Sequence, residues 1–508
     1  MNKIITEIQS RGIQVPHTIA GRNGGAVPDG ARVFLIKGIP VNAPISAPYV
    51  ADSPFTLEET EDSFLLLKHG KELFPVEVVP EPSFYDLHTE DGTSYRKIAL
   101  LHGKDCLATT VIQKCVIWKT LQRCSFCDTE ILLENNLTIE KKTPGQLAEV
   151  AKAAQKHDGI THVVLSSGTA DPRGAEIPYL AQCVRAVKNA SGLPVHVQFL
   201  PPDDLGLMDE LKQAGTDTAG IHIECFDKDI LCRIAPVKAA IGLKRYEQAW
   251  KKAVELFGPC QVSSFVIVGL GEELKSVAWG SELLADMGVY PFVVPLRPVP
   301  GSHMQDALPP SPETMETIYE AVAGILHKKG LSARENLAGC VRCGACSALR
   351  FYEKEKDMQL ICHGARTEQE TARAFEIRKQ IFVREQNMFK DSDKDEHDNE
   401  SIHLVAKIDG KIIGTVRVFP GKKSGHWIGS RLAVLKESRS FHVGILLIKE
   451  AIKRVKKKGC TVFTARIQEK NVNFFSKLGW KPVGSVENYL GRPHQVMQAD
   501  LDRVPDDL

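Results

Sequence analysis

The chain has 508 residues, 43% hydrophobic and 25% charged, with a formal net charge of +1. That length exceeds one ordinary core and calls for about two to four domains. The near-neutral balance excludes a global field drawing the chain to nucleic acid or to an anionic membrane. Residues 1–12 lack a signal-peptide apolar core, and no run reaches the roughly 18 apolar residues of a membrane span. Of the 13 cysteines, six fall in two tight triplets. That spacing suits metal binding in a reducing cytosol better than a disulfide framework, so a cytoplasmic location is expected.

Residues 1–95 are rich in proline and glycine, with short apolar runs such as 31–36. They read as a small β-rich region with no chemistry of its own. From 96 to 335, strand-like runs at 107–113, 162–166, 195–199, 220–225, 261–269 and 292–296 alternate with helical periods. The helices are expected at 144–157, 178–189, 204–214, 245–257, 274–287 and 311–329. This alternation implies parallel β/α units, an α/β fold in which six units form a partial barrel. Function then belongs at the C-terminal strand ends.

Cys115, Cys124 and Cys127 follow the first strand and lie on that rim. Three thiolates on a strand-to-helix loop suit an iron–sulfur cluster with one iron left open. The Cys124-Ser125-Phe126-Cys127 pair also suits a zinc knuckle, with Cys106 near enough in sequence to be a fourth ligand. Farther along the rim come the small-residue turn Ser166-Ser167-Gly168-Thr169, then Glu224 followed by Arg233 and Arg245, then Val266-Ile267-Val268-Gly269-Leu270-Gly271-Glu272.

The Cys-x-aromatic-Cys ending and the strand–helix alternations after it resemble the radical S-adenosylmethionine (SAM) superfamily. Eight residues separate Cys115 from Cys124, where three is usual in that superfamily. The resemblance implies a partial (β/α)6 barrel with a [4Fe-4S] cluster on Cys115, Cys124 and Cys127. The open iron would chelate SAM and cleave it reductively to a 5'-deoxyadenosyl radical, with electrons from a ferredoxin or flavodoxin. It also implies that Ser167, Gly168 and Thr169 meet the SAM amino group, and that Glu224 with Arg233 or Arg245 holds its ribose and carboxylate. Val268, Gly269 and Glu272 resemble the Gly-x-Ile-x-Gly-x-x-Glu element that lines the adenine, with Ser264 in place of its first glycine.

Residues 336–365 carry a second triplet, Cys340, Cys343 and Cys346, with Cys362 the nearest candidate for a fourth ligand. The Cys-x2-Cys-x2-Cys spacing is that of ferredoxin-like ligation, and a closed zinc site is the alternative. In a radical SAM setting it implies an auxiliary iron–sulfur cluster. The other cysteines, Cys183, Cys225, Cys232, Cys260 and Cys460, read as small buried hydrophobes.

Residues 366–508 change character. A helix carries 375–386, a hairpin spans 402–419 with its turn at Asp409-Gly410, and a strand at 430–434 leads to a helix at 443–457. The end reads as strand, short helix, strand. The stretch Ile377-Arg378-Lys379-Gln380-Ile381-Phe382-Val383-Arg384-Glu385-Gln386 and the Asn473-to-Trp480 ending resemble the α+β GNAT N-acyltransferase family. This implies acetyl-CoA bound by the Arg439, Val443 and Gly444 loop, its pyrophosphate on backbone N–H groups at a helix N-terminus. His442 replaces the family's middle glycine, and Phe475 stands where tyrosine usually protonates the departing thiolate. The acidic run 391–400 reads as a solvated loop, without the glycine and spacing of a calcium loop.

Phrases at 97–103, 106–110, 339–346 and 491–494 are similar to the radical SAM and GNAT proteins of bacterial nitrilase-associated gene clusters, here fused in one chain. The resemblance implies a bifunctional enzyme acting on a small metabolite of a nitrile- or cyanide-linked pathway, without membrane or nucleic-acid partners. Two other readings stand beside it. One is a binding protein stabilised by two zinc sites; the other is a CoA-dependent acyltransferase with a non-catalytic barrel.

Overall fold

In the computed structural model, which describes residues 1–21, 30–60, 63–353, 360–408, 410–441 and 443–501, the chain divides into two units, Met1–Lys354 and Glu355–Leu508.

The first unit is built on a curled sheet, a half-barrel of seven strands. Six of them are parallel and follow one another in chain order: Cys106–Thr110, His162–Ser166, Val195–Gln198, Thr218–Gly220, Val262–Val268 and Val289–Pro295. Leu100–His102 adds an antiparallel edge beside the first. The crossover helices start and stop where local chemistry dictates. Pro144–Asp158 opens on a capping box between Thr143 and Gln146 and ends at Gly159 in a left-handed conformation. Pro312–Lys329 opens on Ser311 and ends at Gly330 in the same way. The fourth strand departs from expectation, because it stops at Gly220, where the predicted run 220–225 begins. Glu224 adopts φ 74°, which no strand continues. It keeps only an isolated bridge to Val266 on the fifth strand.

The N-terminal region forms a helix, Asn2–Arg11, that the sequence reading missed, and a five-stranded antiparallel sheet. Ile5, Phe34, Val41 and Phe55 of this region share one core with Leu107 and Val163 of the half-barrel. The two sheets therefore pack as one apolar interior.

The second unit is a seven-stranded sheet in the order Ile361–Gly364, Ile402–Ile408, Lys411–Pro420, His426–Val434, Val462–Gln468, Arg492–Gln498, Lys481–Tyr489. All neighbours are antiparallel except His426–Val434 and Val462–Gln468. Those two pair only over 426–429 and 462–465, then part. Val443–Lys456 lays Val443, Leu447, Ile448, Ala451, Ile452 and Val455 against the sheet. The predicted hairpin is present as Ile402–Ile408 with Lys411–Pro420. Its turn residue Asp409, like His442, lies outside the described residues. No helix among the described residues is long and apolar enough to cross a membrane.

Cys362 sits on the sheet-edge strand Ile361–Gly364, paired with Ala406. One expectation is corrected in this unit. The acidic run is solvated only in part: 391, 392, 394, 396, 399 and 400 are exposed, whereas Asp393 is buried, and Asp393, Asp395 and Asp398 pair with Arg378, Arg417 and Arg431. Those partners lie 15 to 38 positions away in sequence, too far for a local pattern to reveal.

Candidate active site

The half-barrel encloses a cavity of about 460 Å³, within the usual range for a small-molecule site. Cys115, Cys124 and Cys127 line it, and so do Cys340 and Cys346 of the second triplet. Members of both triplets therefore adjoin one chamber.

The long gap between Cys115 and Cys124 is folded back on itself. The Arg123 guanidinium stacks over Trp118 at 3.4 Å and donates to the Cys127 carbonyl at 3.3 Å. Glu130 accepts from the Cys115 N–H at 2.9 Å, and the Ser125 N–H donates to the Ile234 carbonyl at 2.7 Å. Burial pushes the Cys124 thiol up to about 12 and Cys127 up to about 11, with the neighbouring thiols adding to the shift. Binding a cluster there must displace protons, because the thiolate is the ligand.

Ser167, Gly168 and Thr169 line the same cavity. The glycine is required by the chain's own backbone: a Cβ at Gly168 would collide with the Lys114 carbonyl oxygen, one residue before Cys115. The Gly168 N–H donates to Ile112, and the Val116 N–H donates to Thr169. This turn thus braces the cysteine loop. Replacing Gly168 with alanine should cost about 1–3 kcal/mol and displace Cys115. Iron retained per chain, measured after anaerobic reconstitution, should fall; unchanged iron would show that the loop does not depend on this contact.

Glu224 also faces the cavity. Its Oε1 accepts from Lys238 Nζ at 2.9 Å, and Lys238 also donates to the His222 carbonyl at 2.6 Å. Burial opposes the charge on Lys238, yet the Glu224 carboxylate beside it raises its pKa and keeps it an ammonium. Glu224 Oε2 is buried without a hydrogen-bond partner. Sequence reasoning did not find Lys238; only the pairing of helix Pro236–Ile241 with the turn at Glu224 brings it in.

The other predicted SAM contacts lie off the cavity wall. Arg233 is exposed beside Gly271. Arg245 donates to the carbonyls of Pro202 and Asp203, both at 2.6 Å, so its guanidinium closes a loop. Glu272 accepts from the N–H groups of Gly269 and Leu270, closing its own turn. Neither Val268 nor Gly269 lines the cavity, although Ile267 and Phe265 do.

The second triplet meets residues the sequence reading left without a role. Asn42, from the N-terminal sheet, lines the cavity and sends its Nδ2 toward Cys346 Sγ at 3.5 Å. Gln198 Nε2 lies 3.7 Å from Cys340 Sγ. Cys106 does not join Cys115, Cys124 and Cys127; it packs with Cys343 at the opposite end of the first parallel strand. Among the described residues no three His, Cys, Asp or Glu side chains are drawn together as around a single ion. The donor chemistry nonetheless fits iron–sulfur groups, with thiols, amide donors and one shared chamber.

In the second unit, Arg439 donates to both carboxylate oxygens of Glu385 at 2.7 Å. Val443 is fully buried at the start of its helix, and Gly444 lies next to Phe474. Phe475 is buried against Trp480 and carries no proton to give. Cys183, Cys225 and Cys260 are buried as expected, whereas Cys232 is exposed.

Comparison with known proteins separates the chain along the same lines. The Radical SAM superfamily profile matches residues 121–278, which include Cys124 and Cys127. The Acetyltransferase (GNAT) family profile matches residues 367–480. Bacteriochlorophyllide c C-7(1)-hydroxylase of Chlorobaculum limnaeum is 29% identical over 191 residues, 36% of this chain. The chain spans only 47% of the length of that hydroxylase. The uncharacterized N-acetyltransferase YjcF of Bacillus subtilis is 34% identical over 138 residues, 27% of this chain and 96% of that protein. Among solved structures, Escherichia coli ElaA is 19% identical with a TM-score of 0.26, covering 28% of this chain and 99% of that one.

Proposed function

We propose, for a chain that carries a radical SAM domain and belongs through its C-terminal unit to the GNAT acetyltransferase family, that the half-barrel modifies a small metabolite by SAM-dependent radical chemistry and that the second unit acylates a related molecule. In this reading the curled sheet is the partial (β/α)6 barrel of a radical SAM enzyme. Cys115, Cys124 and Cys127 hold a [4Fe-4S] cluster, which with SAM supplies hydrogen-atom abstraction once reduced by a ferredoxin- or flavodoxin-like donor.

The chain's own residues do the rest. Ser167, Gly168 and Thr169 offer backbone groups beside the cysteine loop, and Glu224 offers an unpartnered carboxylate oxygen suited to a ribose diol. The buried Glu224–Lys238 pair holds that carboxylate in a chamber walled by Phe199, Phe265 and Ile267. SAM in this reading lies within the cavity, which Arg233, Arg245, Val268, Gly269 and Glu272 do not line. A second iron–sulfur cluster occupies Cys340, Cys343 and Cys346. Acyl-CoA enters where His426–Val434 and Val462–Gln468 part, near Gly444, and Phe475 leaves protonation of the thiolate to water or to another group. The metabolite belongs to a nitrile- or cyanide-linked pathway on the strength of the sequence resemblance, and the labile clusters suit a reducing cytoplasm.

The observation that carries the radical reading is that three thiols and a buried carboxylate with a free oxygen share one cavity. Its test is release of 5'-deoxyadenosine from SAM by protein reconstituted without oxygen and given a strong reductant. Release should fall about 100-fold in Cys124→Ala. Iron-loaded wild type that releases none, even with nitrile-pathway metabolites present, would remove the radical reading.

A further inference from the structure

We propose that Cys106 is the fourth thiolate of a closed cluster site formed with Cys340, Cys343 and Cys346, an inference that rests on the reading that the second triplet holds an iron–sulfur cluster. Cys106 opens the first parallel strand and is 1% exposed, packed with Ala108, Val164 and Cys343. Strand alternation turns Cys106, Ala108 and Thr110 to one face, and the latter two line the cavity. Cys106 therefore lies on the same strand face as Ala108, buried in a small cluster and itself off the cavity wall, whereas Leu107 packs into the main core.

The hairpin that delivers Cys106 is shaped around the second triplet. Gly103 sits at its turn with φ 57°, and a Cβ there would come within 2.5 Å of Cys343 Sγ. A side chain at that position would push the sulfur away from the hairpin. Cys106 packs directly against Cys343, and Cys340 and Cys346 of the same short segment line the cavity above. The amides of Asn42 and Gln198 approach Cys346 and Cys340, supplying the N–H···S contacts that tune such clusters. A cysteine kept only as a small hydrophobe has no need of a glycine that admits a second sulfur beside it.

Ligation by Cys106 changes what the second site can do. Three thiolates leave one iron open to a substrate atom; four close the site. Substrate would then not be anchored on the iron of that cluster. The strand Cys106–Thr110 sets about 13 Å of rise between the floor thiol and the start of the cysteine loop, at roughly 3.3 Å per residue.

The test begins from the full chain carrying Cys115→Ala, Cys124→Ala and Cys127→Ala, so that only the second site can hold iron and radical activity plays no part. After anaerobic reconstitution this background should retain about four iron and four sulfide per chain, with a paramagnetic signal on reduction. Adding Cys106→Ala should at least halve the iron and make the remainder labile to a chelator. Adding Cys106→Ser should keep iron but shift the signal, which a merely structural role would not do. His102→Ala tests the residue paired across the hairpin from Cys106, and Cys183→Ala tests an unrelated buried thiol; both should leave iron unchanged. Full iron with an unchanged spectrum in Cys106→Ala would overturn the fourth ligand while leaving the second cluster standing. Loss of iron in His102→Ala alone would overturn it in favour of an imidazole. A background holding no iron and sulfide, or one zinc, would overturn both readings.

Discussion

Replacing Arg378 with alanine should strongly destabilise the C-terminal unit while leaving the half-barrel unaffected. The Arg378 side chain has no exposure; its Nε donates to Asp393 at 2.7 Å, and its terminal nitrogens reach Asp398 at 2.6 and 3.1 Å. Arg417 and Arg431 complete the network through Asp395 and Asp393. Removing Arg378 leaves buried Asp393 and Asp398 with only Arg431 and Arg417 and costs up to about 3–5 kcal/mol, a large fraction of a typical domain's stability of about 5–15 kcal/mol. Arg378→Lys keeps the charge but not the planar fork, and should lose less.

The pH dependence has a definite sign. Burial works against ionised Asp398, yet hydrogen bonds and charge from Arg378 and Arg417 hold its carboxyl well below the usual carboxylate range, and Asp395 is lowered in the same way by Arg417 and Arg431. A depressed folded pKa gives stability that is present above the unfolded value near 3.9 and is lost as pH falls through the folded value. Wild type should therefore hold this unit down to about pH 4 and weaken below it. In Arg378→Ala the stranded acids favour protonation, so the deficit should shrink as pH falls from about 7 to 4.5. Hydrogen exchange read peptide by peptide over 402–434 measures this in the intact chain. Protection unchanged from wild type would show that the network adds nothing to stability.

Glu224→Gln should weaken SAM binding at least about tenfold, or about 1.4 kcal/mol, and destabilise the half-barrel. Lys238, 6% exposed, would keep its charge without a counter-ion, a loss of about 3–5 kcal/mol. The residue also sits at φ 74°, a backbone state that costs a non-glycine about 1–3 kcal/mol and persists where the surroundings over-determine it. Glu224→Gln combined with Lys238→Met should recover stability, since an apolar side chain replaces the stranded ammonium, but should not recover SAM affinity. Equilibrium SAM binding and thermal denaturation of the reconstituted variants separate the two effects. Recovery of affinity in the double variant would show that Glu224 serves only to neutralise Lys238.

Much of the architecture is legible in local patterns, because helix periods, caps and glycine stops act within a few residues. The helix ending at Gly330 and the hairpin of Ile402–Ile408 with Lys411–Pro420 were found this way. The three thiols Cys115, Cys124 and Cys127 were legible for a similar reason, since they sit on one short loop. What failed was whatever depends on a distant partner. Arg245 satisfies loop carbonyls more than 40 positions back, Asn42 crosses from another sheet to Cys346, and Asp395 and Asp398 of the acidic run pair with Arg417 on a later strand.

Cys106 shows the division most plainly. Sequence by itself determined a β/α chain with two metal-ready thiol triplets and a second, acyltransferase-like unit, because residue spacing sets strand, helix and ligand-loop chemistry. Only the tertiary structure decided that Cys340 and Cys346 line the same cavity as Cys115, Cys124 and Cys127, and that Cys106 packs against Cys343. A strand's direction through the sheet determines which end of the cavity its first residue reaches, and nearness in sequence carries no record of that direction.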